Sequence, residues 1–111
     1  MKDPLRPQHC AQKLHALAAA ERLRIIGFLR DGERNVTEIA ERLGTTLVNV
    51  SHHIMVLRQA GFVRGHKRGR FVYYSLTPGL LQRDEMSNAV EYFDLGCCRL
   101  EVPRREDSGN P

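Results

Sequence analysis

Residues 36–57, VTEIAERLGTTLVNVSHHIMVL, decide the fold that this sequence predicts. Ala40, Gly44 and Val50 have the spacing of two helices joined by a tight turn. Each has a steric role, with a small residue where the helices cross, a glycine in the turn, and a β-branched residue that holds the second helix on the first. We therefore expect a helix-turn-helix, with Thr46 as the N-cap of its second helix.

The second helix of this motif has two contrasting faces. Apolar residues recur at helical spacing, at Leu47 or Val50 and then at Ile54 and Leu57, so this face is expected to be buried. The opposite face carries short donor and acceptor side chains, which suit the base edges and flanking phosphates of a DNA major groove. These candidate DNA-contacting residues are Thr46, Asn49, Ser51 and His52.

A β-hairpin is predicted directly after this helix, over residues 62–76, because aromatic and β-branched residues flank a turn at 67–69. Its basic residues cluster around the turn: Arg64, His66, Lys67, Arg68 and Arg70. A hairpin in this position forms a wing that reaches phosphates or the minor groove beside the helix. The alternative is a solvated hairpin tip whose charges prevent edge-to-edge aggregation.

The flanking segments complete a mainly α-helical chain with one small β-hairpin, in the order helix, helix, helix, helix, strand, strand, helix. Helices are predicted over residues 10–18, 21–30, 36–43, 46–60 and 77–95. Asn35 and Glu38 form a capping box for the third helix, and Thr77 and Pro78 begin the last one. The last helix carries an apolar stripe of Leu80, Met86, Ala89, Val90 and Phe93. It is expected to pack on the first helix and on its copy in a second subunit, which predicts a homodimer.

The length of 111 residues predicts one compact domain over residues 10–96. Residues 1–9 are expected to form a flexible arm, and residues 97–111 a cysteine pair followed by a disordered tail. A net charge of +4 agrees with a polyanionic partner. The sequence has neither a run of about 20 apolar residues nor a signal-peptide core, so we expect a cytoplasmic protein without a membrane partner.

The run LGTTLVNVSHHIMVLRQAGFVRGHKRGRFVYYSL, residues 43–76, resembles the winged helix-turn-helix of the ArsR/SmtB family of bacterial metal- and metalloid-responsive repressors. The run ERLRIIGFLRDGERNVTEIAERLG, residues 21–44, resembles the segment that precedes that motif. The resemblance implies a homodimer, built through the first and last helices, that binds an imperfect inverted repeat in double-stranded DNA and is released by an inducer. No enzyme is expected, because the sequence lacks a recognisable catalytic arrangement and a glycine-rich phosphate loop.

The same resemblance implies roles for individual residues. Ser51 and His52 would lie at the groove, and the wing arginines would contact the DNA backbone. Thr46, Leu47 and Asn49 would lie at the start of the recognition helix. His53 falls on the side of Val50 and Leu57, so we interpret it as a packed, hydrogen-bonded structural histidine.

Two ligand sets of known family members are absent from this sequence. Asn35 and Thr37 stand where members that sense arsenic or cadmium at the third helix carry Cys-x-Cys. Zinc sensors of the family use histidines with acidic residues on the last helix, where this chain offers only carboxylates. These acidic residues are Asp84, Glu85, Glu91 and Asp94. We therefore expect no metal at either place.

The remaining candidate ligands are Cys97 and Cys98, just past the predicted last helix, and Cys10 at the start of the first helix. Three thiolates suit trivalent arsenic or antimony or a soft cation, and His9 would supply a nitrogen if the ion were zinc. A second interpretation is a thiol-redox or persulfide switch in which Cys10 bonds to Cys97 or Cys98. A third is that the cysteines pack as small apolar residues in a DNA-binding module without an effector. The sequence leaves all three open.

Overall fold

The computed structural model of the protein describes residues 6–86 and 90–103. Within these residues, the helices are α1 (Pro7–Leu17), α2 (Ala20–Leu29), α3 (Val36–Leu43) and α4 (Leu47–Gln59). The strands are β1 (Arg34–Asn35), β2 (Val63–Arg68), β3 (Phe71–Leu76), β4 (Leu81–Asp84), β5 (Val90–Asp94) and β6 (Arg99–Val102). None of the described helices has the length and apolar character that crossing a bilayer requires.

The predicted helix-turn-helix is confirmed in α3 and α4. Ala40 and Val50 are buried, and Gly44 has a φ of +70°, a left-handed conformation that glycine adopts without steric cost. The Asn35 side chain accepts from the Glu38 N–H at 2.9 Å, and the Glu38 carboxylate accepts from the Asn35 N–H at 2.9 Å. The capping box therefore begins α3 as predicted.

The wing is also confirmed, and it belongs to a three-stranded antiparallel sheet in the order β1-β3-β2. Strand β1, which the sequence analysis did not predict, adds to the outer edge of β3. The core lies between this sheet and the helices, and its most deeply buried side chains come from α2, α3, α4 and the segment between α4 and β2. They are Ile25, Ile26, Ile39, Val50, Leu57 and Phe62. The winged helix-turn-helix fold class is thus correct.

The predicted last helix over residues 77–95 is wrong. The Leu80 N–H bonds to the Thr77 carbonyl at 3.0 Å, and Gly79 has a φ of +87°. Pro78 and Gly79 therefore form the two central residues of a type II turn, not the first turn of a helix. The chain continues into a second antiparallel sheet in the order β4-β5-β6. Of the predicted apolar stripe, Ala89 lies outside the described residues, and Met86 is 93% exposed.

The second sheet takes the place expected for the last helix against the core. Leu81, Phe93 and Leu100 are aligned across the three strands, and this row packs on the core. Arg30 at the end of α2 bonds to Glu91 in β5 and to the Pro103 carbonyl. A helix-to-helix dimer interface that includes a last helix is therefore not available to the described chain.

The boundaries at the two ends also differ from the expected ones. Helix α1 begins at Pro7, inside the expected arm of residues 1–9. Strand β6, Arg99–Val102, lies inside the segment 97–111 that was expected to hold a disordered tail. Residues 1–5 and 104–111, to which the rest of these two predictions applies, lie outside the described residues.

Candidate DNA interface and cysteine cluster

The start of α4 presents a continuous exposed surface. Leu47 is 53% exposed and Val50 is fully buried, which resolves the choice between them for the apolar face. Four of the predicted DNA-contacting residues, Thr46, Asn49, Ser51 and His52, are all exposed. Val48 is 79% exposed, and its position three and four residues before Ser51 and His52 places it on the same face. Val48 was not among the predicted residues because it carries no polar group, although apolar side chains also contact thymine methyl groups.

Two of these residues also shape the helix start. The Thr46 hydroxyl accepts from the Asn49 N–H at 3.1 Å, which makes Thr46 the predicted N-cap. The Asn49 side-chain amide donates to the Thr45 hydroxyl at 2.9 Å. The threonine pair and Asn49 are thus held in one local network at the tip that would enter a groove.

The wing carries exposed cations close to α4. Arg64, Lys67 and Arg70 are exposed. Arg58 on the last turn of α4 lines, together with Arg64 and Lys67, an open groove of about 460 Å³. Arg58 was not among the predicted residues, although its position seven residues after Ser51 places it on the helix face that is predicted to contact DNA.

The other basic wing residues are engaged within the protein. Arg68 bonds to Glu33, and its guanidinium lies over the Tyr73 ring at 4.3 Å from the centroid. His66 Nε2 lies 2.9 Å from the second oxygen of the same Glu33 carboxylate. Of the four predicted DNA-contacting cations of the wing, Arg68 therefore has a protein partner.

His53 is a packed and hydrogen-bonded residue, as predicted. Its Nδ1 lies 3.1 Å from the guanidinium of Arg22, which is itself 8% exposed. Arg22 also donates to the carbonyls of Ala16 and His15, at 2.6 and 3.3 Å, so it ties the end of α1 to α4. Because a guanidinium only donates, Nδ1 of His53 must accept and the ring is neutral in this contact. Burial, followed by the charge of Arg22, lowers the pKa of His53 from its usual value near 6.5.

This lowered pKa predicts a loss of stability in mild acid. In the unfolded chain His53 takes up a proton near pH 6.5, whereas the folded protein resists protonation until a lower pH. The contribution of neutral His53 to the stability of the fold is therefore fully present above pH 6.5 and is lost as the pH falls below it. Urea unfolding at about pH 7.5 and about pH 5.5 should show a larger drop for the wild type than for His53→Gln, since glutamine does not titrate. An equal loss of stability in the wild type and in His53→Gln would contradict the lowered pKa of His53.

The cysteine cluster consists of Cys10, Cys97 and Cys98. Cys97 and Cys98 lie in the turn between β5 and β6, which is closed by a bond from the Leu95 N–H to the Cys98 carbonyl at 2.9 Å. Gly96 in this turn has a φ of +88°. The turn places both sulfurs against the buried Cys10 of α1, so that the three Sγ atoms lie within 4.8 Å of one another.

Two of the three sulfurs are joined. Cys10 and Cys97 form a disulfide, and Cys98 is a free thiol. The Cys98 sulfur lies 3.8 Å from that of Cys10 and 3.9 Å from that of Cys97. All three sulfurs meet within one chain, where α1 contacts the turn between β5 and β6. His9, the expected nitrogen ligand for zinc, is exposed and is not a member of the cluster.

The acidic residues excluded by the sequence analysis have structural partners. Glu91 pairs with Arg30, Asp94 accepts from the Gly96 N–H at 2.9 Å, and Asp84 accepts from the Met86 N–H at 3.0 Å. In residues 6–86 and 90–103, the cysteine cluster is the one group of three or more potential metal ligands. Among the described residues, the candidate site for a soft metal or metalloid is therefore the junction of α1 with the second sheet.

Known proteins resemble this chain in both sequence and structure. A family model described as a helix-turn-helix domain matches residues 17–66. The transcriptional repressor SdpR of Bacillus subtilis is 34% identical over 81 residues, which span 73% of this chain and 89% of SdpR. This chain belongs to the ArsR/SmtB family. It is therefore a transcriptional regulator of the winged helix-turn-helix type and not an enzyme.

Other relatives match over less of their length. The regulator NmtR of Mycobacterium tuberculosis is 45% identical, over 66% of this chain and 63% of NmtR. The repressor SmtB of the same organism is 41% identical, and the match spans 47% of SmtB.

Solved structures superpose on nearly two thirds of this chain. Reduced HlyU of Vibrio cholerae superposes with a TM-score of 0.61 and 32% identity, over 64% of this chain and 75% of HlyU. The homodimeric DNA-binding domain of a possible ArsR-family regulator of Mycobacterium bovis has a TM-score of 0.61 and 33% identity, over 63% and 65% of the two chains. The second sheet lies beyond residues 17–66, the part that the family model matches.

Proposed function

We propose that this regulator is a sequence-specific repressor that binds an imperfect inverted repeat as a homodimer. The exposed start of α4 and the cationic wing beside it carry the proposal, because together they supply base contacts and phosphate contacts. The predicted contact residues remain Thr46, Leu47, Asn49, Ser51, His52, Arg64, Lys67, Arg68 and Arg70. Membership of the family of SdpR and SmtB, which are named as repressors, supports the direction of regulation.

The proposed dimer rests on two further observations. The related Mycobacterium bovis domain is homodimeric, and two recognition helices related by a two-fold axis match the two halves of an inverted repeat. Leu14 on α1 and Leu23 on α2 are 41% and 52% exposed, which leaves apolar side chains on the helices available to a second copy.

The DNA-binding half of the proposal is tested with His52→Ala. We expect this change to weaken binding to the duplex upstream of the gene by roughly 5- to 150-fold, the range for losing one good base contact. Fluorescence anisotropy at fixed salt measures it, because phosphate contacts make affinity strongly salt-dependent. His15→Ala, which removes an exposed histidine side chain on α1, is the matched control and should leave affinity unchanged. Unchanged affinity in His52→Ala would mean that the recognition surface is assigned wrongly.

For the inducer, we propose a trivalent metalloid bound by Cys10, Cys97 and Cys98. Three sulfurs within 4.8 Å fit a soft trivalent centre such as arsenic or antimony. The Cys10–Cys97 disulfide must first be reduced by two thiol groups, which supply two electrons and two protons, become a disulfide themselves and leave Cys10 and Cys97 as free thiols. Three thiols and one arsenous acid molecule then give one arsenic trithiolate and three water molecules. By linkage, such a ligand opposes DNA binding only if it prefers a conformation that binds DNA poorly.

The disulfide itself favours a second candidate, a thiol-redox repressor. Here the regulatory step is oxidation of the Cys10 and Cys97 thiols to the disulfide, with two electrons and two protons passing to a peroxide that becomes water and an alcohol, or two water molecules. This bond fastens the start of α1 to the β5–β6 turn. The two candidates differ in their use of Cys98, which the metalloid requires and the disulfide does not.

A further inference from the structure

Glu33 lies between α2 and β1 and reaches the wing across the first sheet. Its two carboxylate oxygens contact different residues of β2, His66 at 2.9 Å and Arg68. Strand β1 pairs with β3, which in turn pairs with β2, with Asn35, Tyr73 and His66 in one row. Since side chains alternate across a strand, this register places Glu33 on the same face as His66 and Arg68.

These contacts contribute little to holding the fold together. The side chains of His66 and Arg68 are 51% and 55% exposed, and that of Glu33 is 31% exposed. Exposed ion pairs contribute little to stability because water and salt screen them. The first sheet is held by backbone bonds of β2 with β3 and by its packing on the core. The main effect of Glu33 is instead to reduce the positive charge that the wing presents to a binding partner.

We propose that Glu33 is an internal competitor for DNA phosphate and is a positioning residue for Arg68. The inference rests on the proposed DNA interface. In the free protein the Glu33 carboxylate is bonded to the Arg68 guanidinium. The guanidinium also lies over the Tyr73 ring, 4.3 Å from its centroid. A phosphate that binds Nη2 of Arg68, the nitrogen bonded to Glu33, competes with the carboxylate, so Glu33 lowers the sequence-independent part of DNA affinity. Arg64, Lys67 and Arg70 are exposed and make no contact with Glu33 among the ion pairs of the described residues.

The test compares Glu33→Gln with Glu41→Gln, which removes the same charge from an exposed position on α3. Anisotropy is measured with the upstream duplex and with a scrambled duplex over a series of salt concentrations. Glu33→Gln should bind both duplexes about three- to fivefold more tightly, the effect of releasing an exposed ion pair. Its salt dependence should steepen by about 0.9 in log–log slope for each subunit of the dimer, which is one additional phosphate contact per subunit. Weaker or unchanged binding by Glu33→Gln would overturn the proposal, because a residue that merely supports the wing would act in that direction.

Repeating the substitution in an Arg68→Ala protein separates competition for Arg68 from a general effect of the Glu33 charge on DNA binding. In Arg68→Ala, adding Glu33→Gln should change the affinity less than twofold, because the cation released by the substitution is absent. The same three- to fivefold gain in both backgrounds would show a long-range charge effect and would also overturn the proposal. Failure of the proposed function looks different: the wild-type protein would then bind the upstream and scrambled duplexes equally, whatever residue stands at position 33.

Discussion

Cys98→Ser is expected to abolish the release of DNA by trivalent arsenic and to preserve the release of DNA by oxidation. Arsenic release requires three sulfurs, and the variant leaves two, Cys10 and Cys97, which still form their disulfide. If the coupling free energy between inducer and DNA is about 3 kcal/mol, arsenic weakens wild-type binding more than a hundredfold. The measurement is anisotropy of the upstream duplex with reduced protein, before and after arsenite and, separately, after peroxide.

Cys97→Ser is the matched control for this experiment, since it removes a neighbouring sulfur by the same chemistry. It should lose both responses, because Cys97 belongs to the metalloid site and to the disulfide. Arsenic release that persists in Cys98→Ser would remove the three-sulfur site from the proposal. Arsenic insensitivity of the wild type, together with release by peroxide that Cys97→Ser abolishes, would select the redox candidate.

The helix-turn-helix was predictable because its signals are local. Ala40, Gly44 and Val50 act within one turn and two short helices, and the capping box of Asn35 and Glu38 spans four residues. Each of these local preferences agrees with the packing of the folded chain. An element is predictable from sequence when its local signals and its tertiary packing favour the same structure.

The last helix was mispredicted because two periodicities overlap in one segment. An apolar stripe at helical spacing favours a helix, although Pro78 followed by Gly79 is a turn pair. Residues 90–94 alternate between Val90, Tyr92 and Asp94 on one face and Glu91 and Phe93 on the other, as a half-buried strand does. The strand interpretation depends on pairing with β4 and β6, the strands before and after it, which the pattern of residues 90–94 alone does not reveal.

The candidate functional residues also differ in how far the sequence predicts them. The exposed face of α4 follows from helical periodicity, and the three cysteines from their chemistry. Their meeting point depends on a contact between residues 88 positions apart, Cys10 and Cys98, which the sequence does not specify. The pairing of Glu33 with Arg68 likewise requires the β1-β3-β2 order of the sheet.

Phe62→Ala is expected to lower the free energy of unfolding by about 3–5 kcal/mol, the cost of truncating a buried phenylalanine. Phe62 is fully buried where α4 ends and the wing begins, and Lys13 of α1 lies 5.4 Å from its ring centroid. Since domains of this size are stable by only about 5–15 kcal/mol, the loss is a large fraction of the total. Urea unfolding monitored by circular dichroism measures it, with the protein reduced so that the disulfide does not contribute.

Phe71→Ala provides the comparison, because Phe71 is an aromatic residue of the wing that is 43% exposed. Its substitution should cost less than about 1 kcal/mol, so the two variants separate burial from aromatic character. The Phe62 backbone bonds to Leu57 and Thr77, each at 2.9 Å, use main-chain atoms that alanine retains. The difference between the variants therefore measures the side chain that joins recognition helix, wing and α1. Equal losses of unfolding free energy in both variants would show that burial of the Phe62 side chain does not stabilise this junction.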